Sequence, residues 1–507
     1  MRQVSARIGC RAVVAGELVA AVAALGLSTC LDWRAALAVG AGLGLLICVL
    51  TVGGLTLWQW AWRVIAWARR RDHVPALIEP FDVTVDGRDV GVVVDGETVC
   101  TMISLWGKPY VPTLLHAQRA ETPNTVPVTV IAEQMCRYGL AVDVDMICEG
   151  RRTAARDNYA DLYETFLRGL PAAGQRSVAL LVRLHARSVV GGLVWRRDTI
   201  NAAVAASQRI ARALCQKDCR AKLLTAEQMS GAVAASLGGP EHAKACYRDG
   251  WTHLRRGGKA YVTSYFLSDL RAQSIDNVWC YPADHTTVVV ALRNSGQGVR
   301  ASAMVRYTTP QPIPSPPALG LNSFTGRQWD AVALTLPGRA RLGLPSAPVS
   351  IDLDTAIVAG PSGVLLGKRR DAMVLMPIWD PAGTTRIGLR ADDKTVRQLI
   401  RRAAAAGEQV AVYDPDRCWA MTAGSPRIWA THDMTARPPR PPTMVIHNGV
   451  SNDYPDARTA VTVGEMAAGA APDIRIEQDG DRIIMKTQRF GTALTAVSFR
   501  NEETYLQ

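Results

Sequence analysis

Two apolar runs separated by three residues dominate the N-terminus and constrain the rest of the reading. Residues 12–31 form a 20-residue run broken only by Glu17, and residues 35–62 form a 28-residue run with no charge. About 20 apolar residues span the hydrocarbon core of a bilayer, so each run suffices for one helical span. Only Asp32, Trp33 and Arg34 lie between them, which forces an antiparallel hairpin. Trp58, Trp60, Trp62 and Trp67 gather at the far end, followed by Arg69, Arg70 and Arg71. Trp favours the headgroup level and Arg the aqueous side, so Trp58, Trp62, Trp67 and Arg69 to Arg71 are expected as interfacial anchors. Gly40 and Gly44 stand four apart in the second run and are expected to pack one helix closely on another. Glu17 reads as a contact or a snorkelling carboxylate, since one acid without an intramembrane partner makes no relay.

Charge sets the orientation. The chain has 57 Lys and Arg against 45 Asp and Glu, a formal net charge of +12. The first 71 residues hold eight Arg and two acids, so half of the excess lies in that segment. That clustering argues for a membrane anchor and against a nucleic-acid binder, whose basic charge would spread over its binding face. Arg residues on the outer sides of both runs place the N-terminus and everything after residue 71 in the cytoplasm, at the inner membrane. Ser28-Thr29-Cys30 resembles a lipoprotein cleavage box, but Thr fits badly before Cys and the second run follows at once. Eleven Cys, odd in number and scattered, read as mostly reduced and buried thiols.

The remainder alternates between strand and helix signals. Asp86-Gly87 and Asp95-Gly96 offer hairpin turns within an early strand region. Helices are expected at 128–138, 159–167 and 200–215, with strands at 141–148 and 177–184 between them. Thr225-Ala-Glu-Gln228 reads as a capping box. Strands separated by helices of this length suggest a buried sheet with helical crossovers. A Pro-rich stretch at 309–317 precedes a second α/β region, where an amphipathic helix at 394–406 ends at Gly407 and a hairpin turns at Asp479-Gly480. The expected fold class is membrane-anchored α/β: a transmembrane hairpin over 1–71 with spans at about 12–31 and 35–62, a first cytoplasmic region over 72–308, a linker over 309–325, and a second region over 326–507.

Catalytic signatures are near misses. In Gly360-Pro-Ser-Gly363-Val-Leu-Leu-Gly367-Lys368-Arg369, Ser362 replaces the first glycine of a phosphate loop and Arg369 its magnesium-binding hydroxyl. Cys215 and Cys219, and His242 and Cys246, have i, i+4 spacing but not that of a zinc knuckle. The pairs Asp143/Asp145, Asp352/Asp354 and Asp414/Asp416 could hold a metal-nucleotide, with Asp352 and Asp354 the best of the three for a membrane-anchored transferase. No catalytic residue, cofactor or metal is assigned.

Seven segments in order carry a family resemblance: Tyr110-Val-Pro-Thr-Leu-Leu115, Gly150-Arg-Arg-Thr-Ala154, Tyr159-Ala-Asp-Leu-Tyr163, Leu170-Pro-Ala-Ala-Gly-Gln-Arg176, Asp284-His-Thr-Thr-Val-Val289, Gly363-Val-Leu-Leu-Gly367 and Arg401-Arg-Ala-Ala-Ala-Ala-Gly407. Together with the N-terminal hairpin, they make the chain resemble the EccE family of mycobacterial type VII (ESX) secretion systems. The resemblance implies a non-catalytic structural component of the inner-membrane complex, alongside EccB, EccC and EccD, that supports assembly of the export machinery. The competing class is the transferase using Asp352 and Asp354. The resemblance is weakest after about residue 437.

Overall fold

A computed structural model describes residues 4–6, 10–30, 32–48, 50–52, 55–69, 72–75, 77–153, 157–193, 198–257, 260–338, 342–416, 419, 425–449, 457–464 and 471–506. The N-terminus departs from expectation. Its two apolar runs fold as a pair of short helices, Cys10–Leu27 of 18 residues and Trp33–Cys48 of 16 residues. At 1.5 Å per residue these are about 27 and 24 Å long, short of a hydrocarbon core of about 30 Å. Among the described residues no helix is long and apolar enough to cross a membrane. The expected two-span transmembrane hairpin is therefore not supported. The long second run breaks into strands Leu50–Val52 and Leu55–Thr56, which pair with each other and, through the first, with Val4–Ala6, and then into the helix Leu57–Arg69. Thr51, Val52 and Thr56 around Gly53-Gly54 explain the break, because β-branched residues and glycine are poor helix formers that a hydropathy count scores as apolar or neutral.

Most of the chain forms two large sheets. The first runs through Asp72–His73, Tyr247–Asp249, Leu254–Arg256, Ala260–Leu267, Gly298–Thr309, His285–Ser295, Leu140–Arg151, Gln175–His185, Thr98–Trp106, Arg88–Asp95 and Phe81–Val85, with other short strands attached. Leu140–Arg151 is central and pairs along its length, from Val142↔Leu184 to Arg151↔Gln175 on one side and from Val144↔Leu292 to Gly150↔Thr286 on the other. Every pairing described in this sheet is antiparallel, so the helical crossovers expected of a parallel sheet are not found here. The helix between the two central strands, Asn158–Phe166, explains why. It does not cover the face of this sheet but packs on the helix Asp393–Ala406 of the second, and the chain returns antiparallel.

Local signals account for several boundaries. Asp86 and Gly87 both have positive φ (53° and 73°), the geometry of a two-residue hairpin turn that follows the strand twist. The helix Thr199–Cys215 is capped by Asp198, whose carboxylate accepts from Asn201 N, and buries Ala202, Ala206, Ile210 and Leu214 on the sheet. Thr225 and Gln228 form the reciprocal capping box that opens Ala226–Ser236.

The second sheet contains the parallel part. Ile428–Thr431, Val410–Tyr413, Met444–Asn448, Thr459–Val463, Thr385–Arg390 and Ile474–Asp479 lie side by side in parallel. The helix Asp393–Ala406 makes the crossover, starting at Asp392 and ending at Gly407 with φ 116°. Antiparallel strands complete this sheet, the last of them from far upstream: Thr113–His116 pairs with Ala372–Met376, and Arg119–Glu121 follows at the edge.

Candidate functional site

The N-terminal helix pair has a tight inner face and an apolar outer one. A Cβ on Gly40 would lie 2.6 Å from Ala20 O and 3.0 Å from Ala24 N. One on Gly44 would collide with Gly16 O and lie 2.9 Å from Ala20 Cβ, whereas Gly42 faces open space. Only hydrogen at positions 40 and 44 permits this approach. Outside, Val14, Leu18, Val22, Leu25, Leu37 and Leu43 are 40 to 78% exposed. A contiguous apolar surface of this kind on a folded chain marks an interaction site.

The residues expected as interfacial anchors divide. Trp58, Trp60, Trp62 and Trp67 all lie on the helix Leu57–Arg69. Trp62 is exposed, and Arg69 is exposed in the last turn. Trp67 instead stacks edge-on against Trp251, with ring centroids 5.3 Å apart, and Trp60 lies 6.2 Å from the same ring. Trp251 packs across Gly326, whose φ of +70° and 2.6 Å clearance for a Cβ require glycine. The helix is thus fastened to the body of the protein by a residue that no local pattern singles out. Arg70 and Arg71 lie outside the described residues.

In each of the three carboxylate pairs at least one acid is held by neighbouring groups of the fold. Asp143 and Asp145 lie on the central strand: Asp145 is fully buried, ion-paired to Arg183 and bonded to Arg293 Nη2 at 2.5 Å. Asp143 faces His185 at 3.5 Å and Arg293 at 3.9 Å. Asp354 accepts from Thr129 N at 2.9 Å and Thr129 Oγ1 at 2.6 Å, fixing the start of the helix Val128–Met135, while Asp352 is exposed. The pair does not converge on a metal position. Asp414 accepts from Trp419 N and Asn448 Nδ2. Among the described residues no group of three His, Cys, Asp or Glu could hold a metal ion. The incomplete phosphate loop is the strand Val364–Arg369, and Gly363 is required by close approach to Met376 O. Of the described cysteines, Cys100, Cys148 and Cys219 are buried, whereas Cys30, Cys136, Cys215 and Cys246 are exposed, so burial is less general than expected. Burial pushes the Cys148 and Cys219 thiols up to about 12.

Sequence reasoning missed a buried polar latch at the C-terminus. Glu502, on the short helix Arg500–Tyr505, accepts from Arg402 Nε at 2.9 Å and Nη2 at 2.8 Å, from Tyr159 OH at 2.6 Å and from Gln398 Nε2 at 3.1 Å. Phe499 stacks on Phe166 at 3.6 Å, and Tyr505 meets Tyr159 edge-on. Burial alone would lower the Arg402 guanidinium, but the hydrogen bonds and charge of Glu502 outweigh it and hold it above its usual range. The tail thereby clamps the helix Asn158–Phe166 onto the helix Asp393–Ala406. The signal lay in Arg401-Arg402 on an otherwise Ala-rich helix face, with no local indication of a distant acid.

Residues 172–267, within the first sheet and its helices, match the family described as type VII ESX secretion system translocon, EccE. The chain is 28% identical over 328 residues to ESX-5 secretion system protein EccE5 of Mycobacterium marinum, covering 59% of this chain and 79% of that protein. It is 28% identical over 395 residues to ESX-2 secretion system protein EccE2 of Mycobacterium tuberculosis, covering 75% of this chain and 71% of that protein. ESX-1 secretion system protein EccE1 of Mycobacterium tuberculosis is 26% identical over 390 residues, covering 75% and 77%.

Proposed function

We propose, from the premise that this chain belongs to the EccE family of ESX secretion-system proteins, that it serves as a non-catalytic structural component of a type VII secretion complex. Its partners in this reading are the membrane components EccB, EccC and EccD. The observation that carries the reading is the helix pair Cys10–Leu27 and Trp33–Cys48, close-packed within and apolar outside. Such a surface is stable in water only when something covers it, at about 25 cal/mol per Å² of apolar area removed from solvent. An assembly of apolar helices from partner subunits supplies that cover. The Trp60–Trp67–Trp251 cluster then transmits the position of the hairpin to the first sheet. The division of Asp352 from Asp354 supports a structural role over a transferase.

Purification of the tagged protein in mild detergent tests this, with co-purifying chains identified by mass spectrometry. Recovery of EccB, EccC and EccD in one large particle is expected. In a Leu18→Glu/Leu25→Glu variant, recovery should fall while the fold of the sheets, read by circular dichroism, persists. Recovery of the protein alone as a small homo-oligomer would overturn the reading.

A further inference from the structure

At one end of the first sheet, below the helix Asn158–Phe166, lies a cleft of about 580 Å³. Two of its lining residues are arginines that end in the same place. Arg151 Nη2 donates to Gly238 O at 2.9 Å, and Arg256 Nη1 donates to Leu237 O at 2.7 Å. Because consecutive carbonyls hold them, the two guanidinium groups lie side by side. Gly238 has φ +94°, and a Cβ there would lie 2.7 Å from Arg256 Nη1, so the loop is shaped around that side chain.

Among the described residues, neither arginine has a carboxylate within ion-pair distance. Arg256 is only 7% exposed, and its Nε is buried without a hydrogen-bond partner. Of the carboxylates that line the cleft, Glu164 is taken by Arg152 at 2.6 Å. Burial, then repulsion from Arg256 and Arg427, lowers the Arg151 guanidinium against a weaker opposing pull from Asp284 and Glu149. His285 lines the same cleft, is 8% exposed, and has a buried Nδ1 with no hydrogen-bond partner. Its Nε2 lies 3.5 Å from Glu149. Burial outweighs that carboxylate and lowers the imidazole.

A buried charge without a partner costs several kcal/mol, and the half-buried Arg151 repels the buried Arg256, so the pair favours a bound counter-charge. We propose that this cleft binds a phosphate monoester, with the phosphate held by Arg151 and Arg256 and the remainder of the ligand along His285, Asp161 and Asp284. A phosphate monoester brings about −1.5 to −2 charges and several acceptor oxygens, enough to match two forks, where one carboxylate brings a single charge. The acids Asp161 and Asp284 on the same lining disfavour a polyanion and suit a ligand that carries hydroxyl groups beside one phosphate. The volume lies within the range of small-molecule sites and admits a nucleoside monophosphate. This inference does not depend on the role in secretion.

Isothermal titration of the full-length protein with adenosine monophosphate, and separately with inorganic phosphate, tests it, with sodium chloride and sodium acetate at matched ionic strength as controls. Saturable binding of both phosphates is expected, with acetate inert. Removing one charge-assisted contact should weaken binding about 10- to 100-fold in Arg151→Gln and in Arg256→Gln. Melting in chloride should stay level or rise in both variants, because an unmatched charge is gone. Phosphate binding that survives both substitutions would overturn the proposal, as would no heat at tens of millimolar. Arginine-dependent binding of a polyglutamate peptide without phosphate binding would also overturn it, in favour of an acidic protein segment.

Discussion

Replacing Glu502 by Ala should release the C-terminal latch and little else. The carboxylate is fully buried and receives two hydrogen bonds from Arg402, one from Tyr159 and one from Gln398. Arg402 is 2% exposed and would keep only the carbonyls of Leu365 and Val497 as acceptors. Removing one member of such a pair costs about 3–5 kcal/mol, since the remaining charge stays buried without its counter-charge. That approaches the whole stability of an average domain, about 5–15 kcal/mol, yet all four hydrogen bonds end on one short helix. The expected result is local opening. Hydrogen exchange of residues 499–506 and 158–166 should quicken by roughly 10²- to 10³-fold, at a factor of ten per 1.4 kcal/mol. Exchange in the central strand Leu140–Arg151 should be unchanged. The double variant Glu502→Leu/Arg402→Met removes both charges and should recover most of the loss. An effect of Glu502→Ala below about 1 kcal/mol, or a double variant worse than either single one, would refute the assignment of the latch to this ion pair.

Other substitutions probe separate features. Gly44→Leu should separate the N-terminal helices, costing about 1–3 kcal/mol through overpacking, and thermal melts followed by far-ultraviolet circular dichroism would show an earlier helical transition. Asp354→Ala should cost about 1 kcal/mol by uncapping the helix Val128–Met135, whereas Asp352→Ala should be neutral in chemical denaturation. Burial raises the Asp276 carboxyl from 3.8 to about 6. The folded state therefore holds this proton more tightly than the unfolded one, and the associated stability, present below about pH 4, is lost as pH rises to about 6. The loss is about 3 kcal/mol at 1.4 kcal/mol per pH unit. Asp276→Asn should flatten that segment of a stability–pH curve, and an unchanged slope would count against the shift.

Much of the local structure was legible in the chain. Asp86-Gly87, the Thr225–Gln228 box and Gly407 mark turns and caps whose chemistry is complete within four residues. What failed was pairing over distance. Periodicity places strands at 141–148 and 177–184 but does not say that the helix between them leaves for another sheet, which made an antiparallel pair look like a crossover unit. Hydropathy joined residues 35–62 into one span because Gly53-Gly54 and the flanking β-branched residues carry no charge, although such residues are poor helix formers. Asp143 and Asp145 looked like a metal-nucleotide pair because their partners Arg183, His185 and Arg293 come from other strands or lie beyond the local pattern. The cleft beside Arg151 and Arg256 was invisible for the same reason: the two meet through a loop about 90 residues from one and 20 from the other.

The strand Thr113–His116 imposes a timetable on synthesis. Its neighbour Ala372–Met376 emerges from the ribosome roughly 260 residues later. At about 5–20 residues per second, the early hairpin waits on the order of 13 to 50 s with an unpaired edge. Exposed edges recruit other strands, so nascent chains are most vulnerable to aggregation during this interval. A chain stopped before residue 372 should therefore engage holding chaperones through residues 113–121, and full-length yield should respond to translation speed more than to the final stability of either sheet.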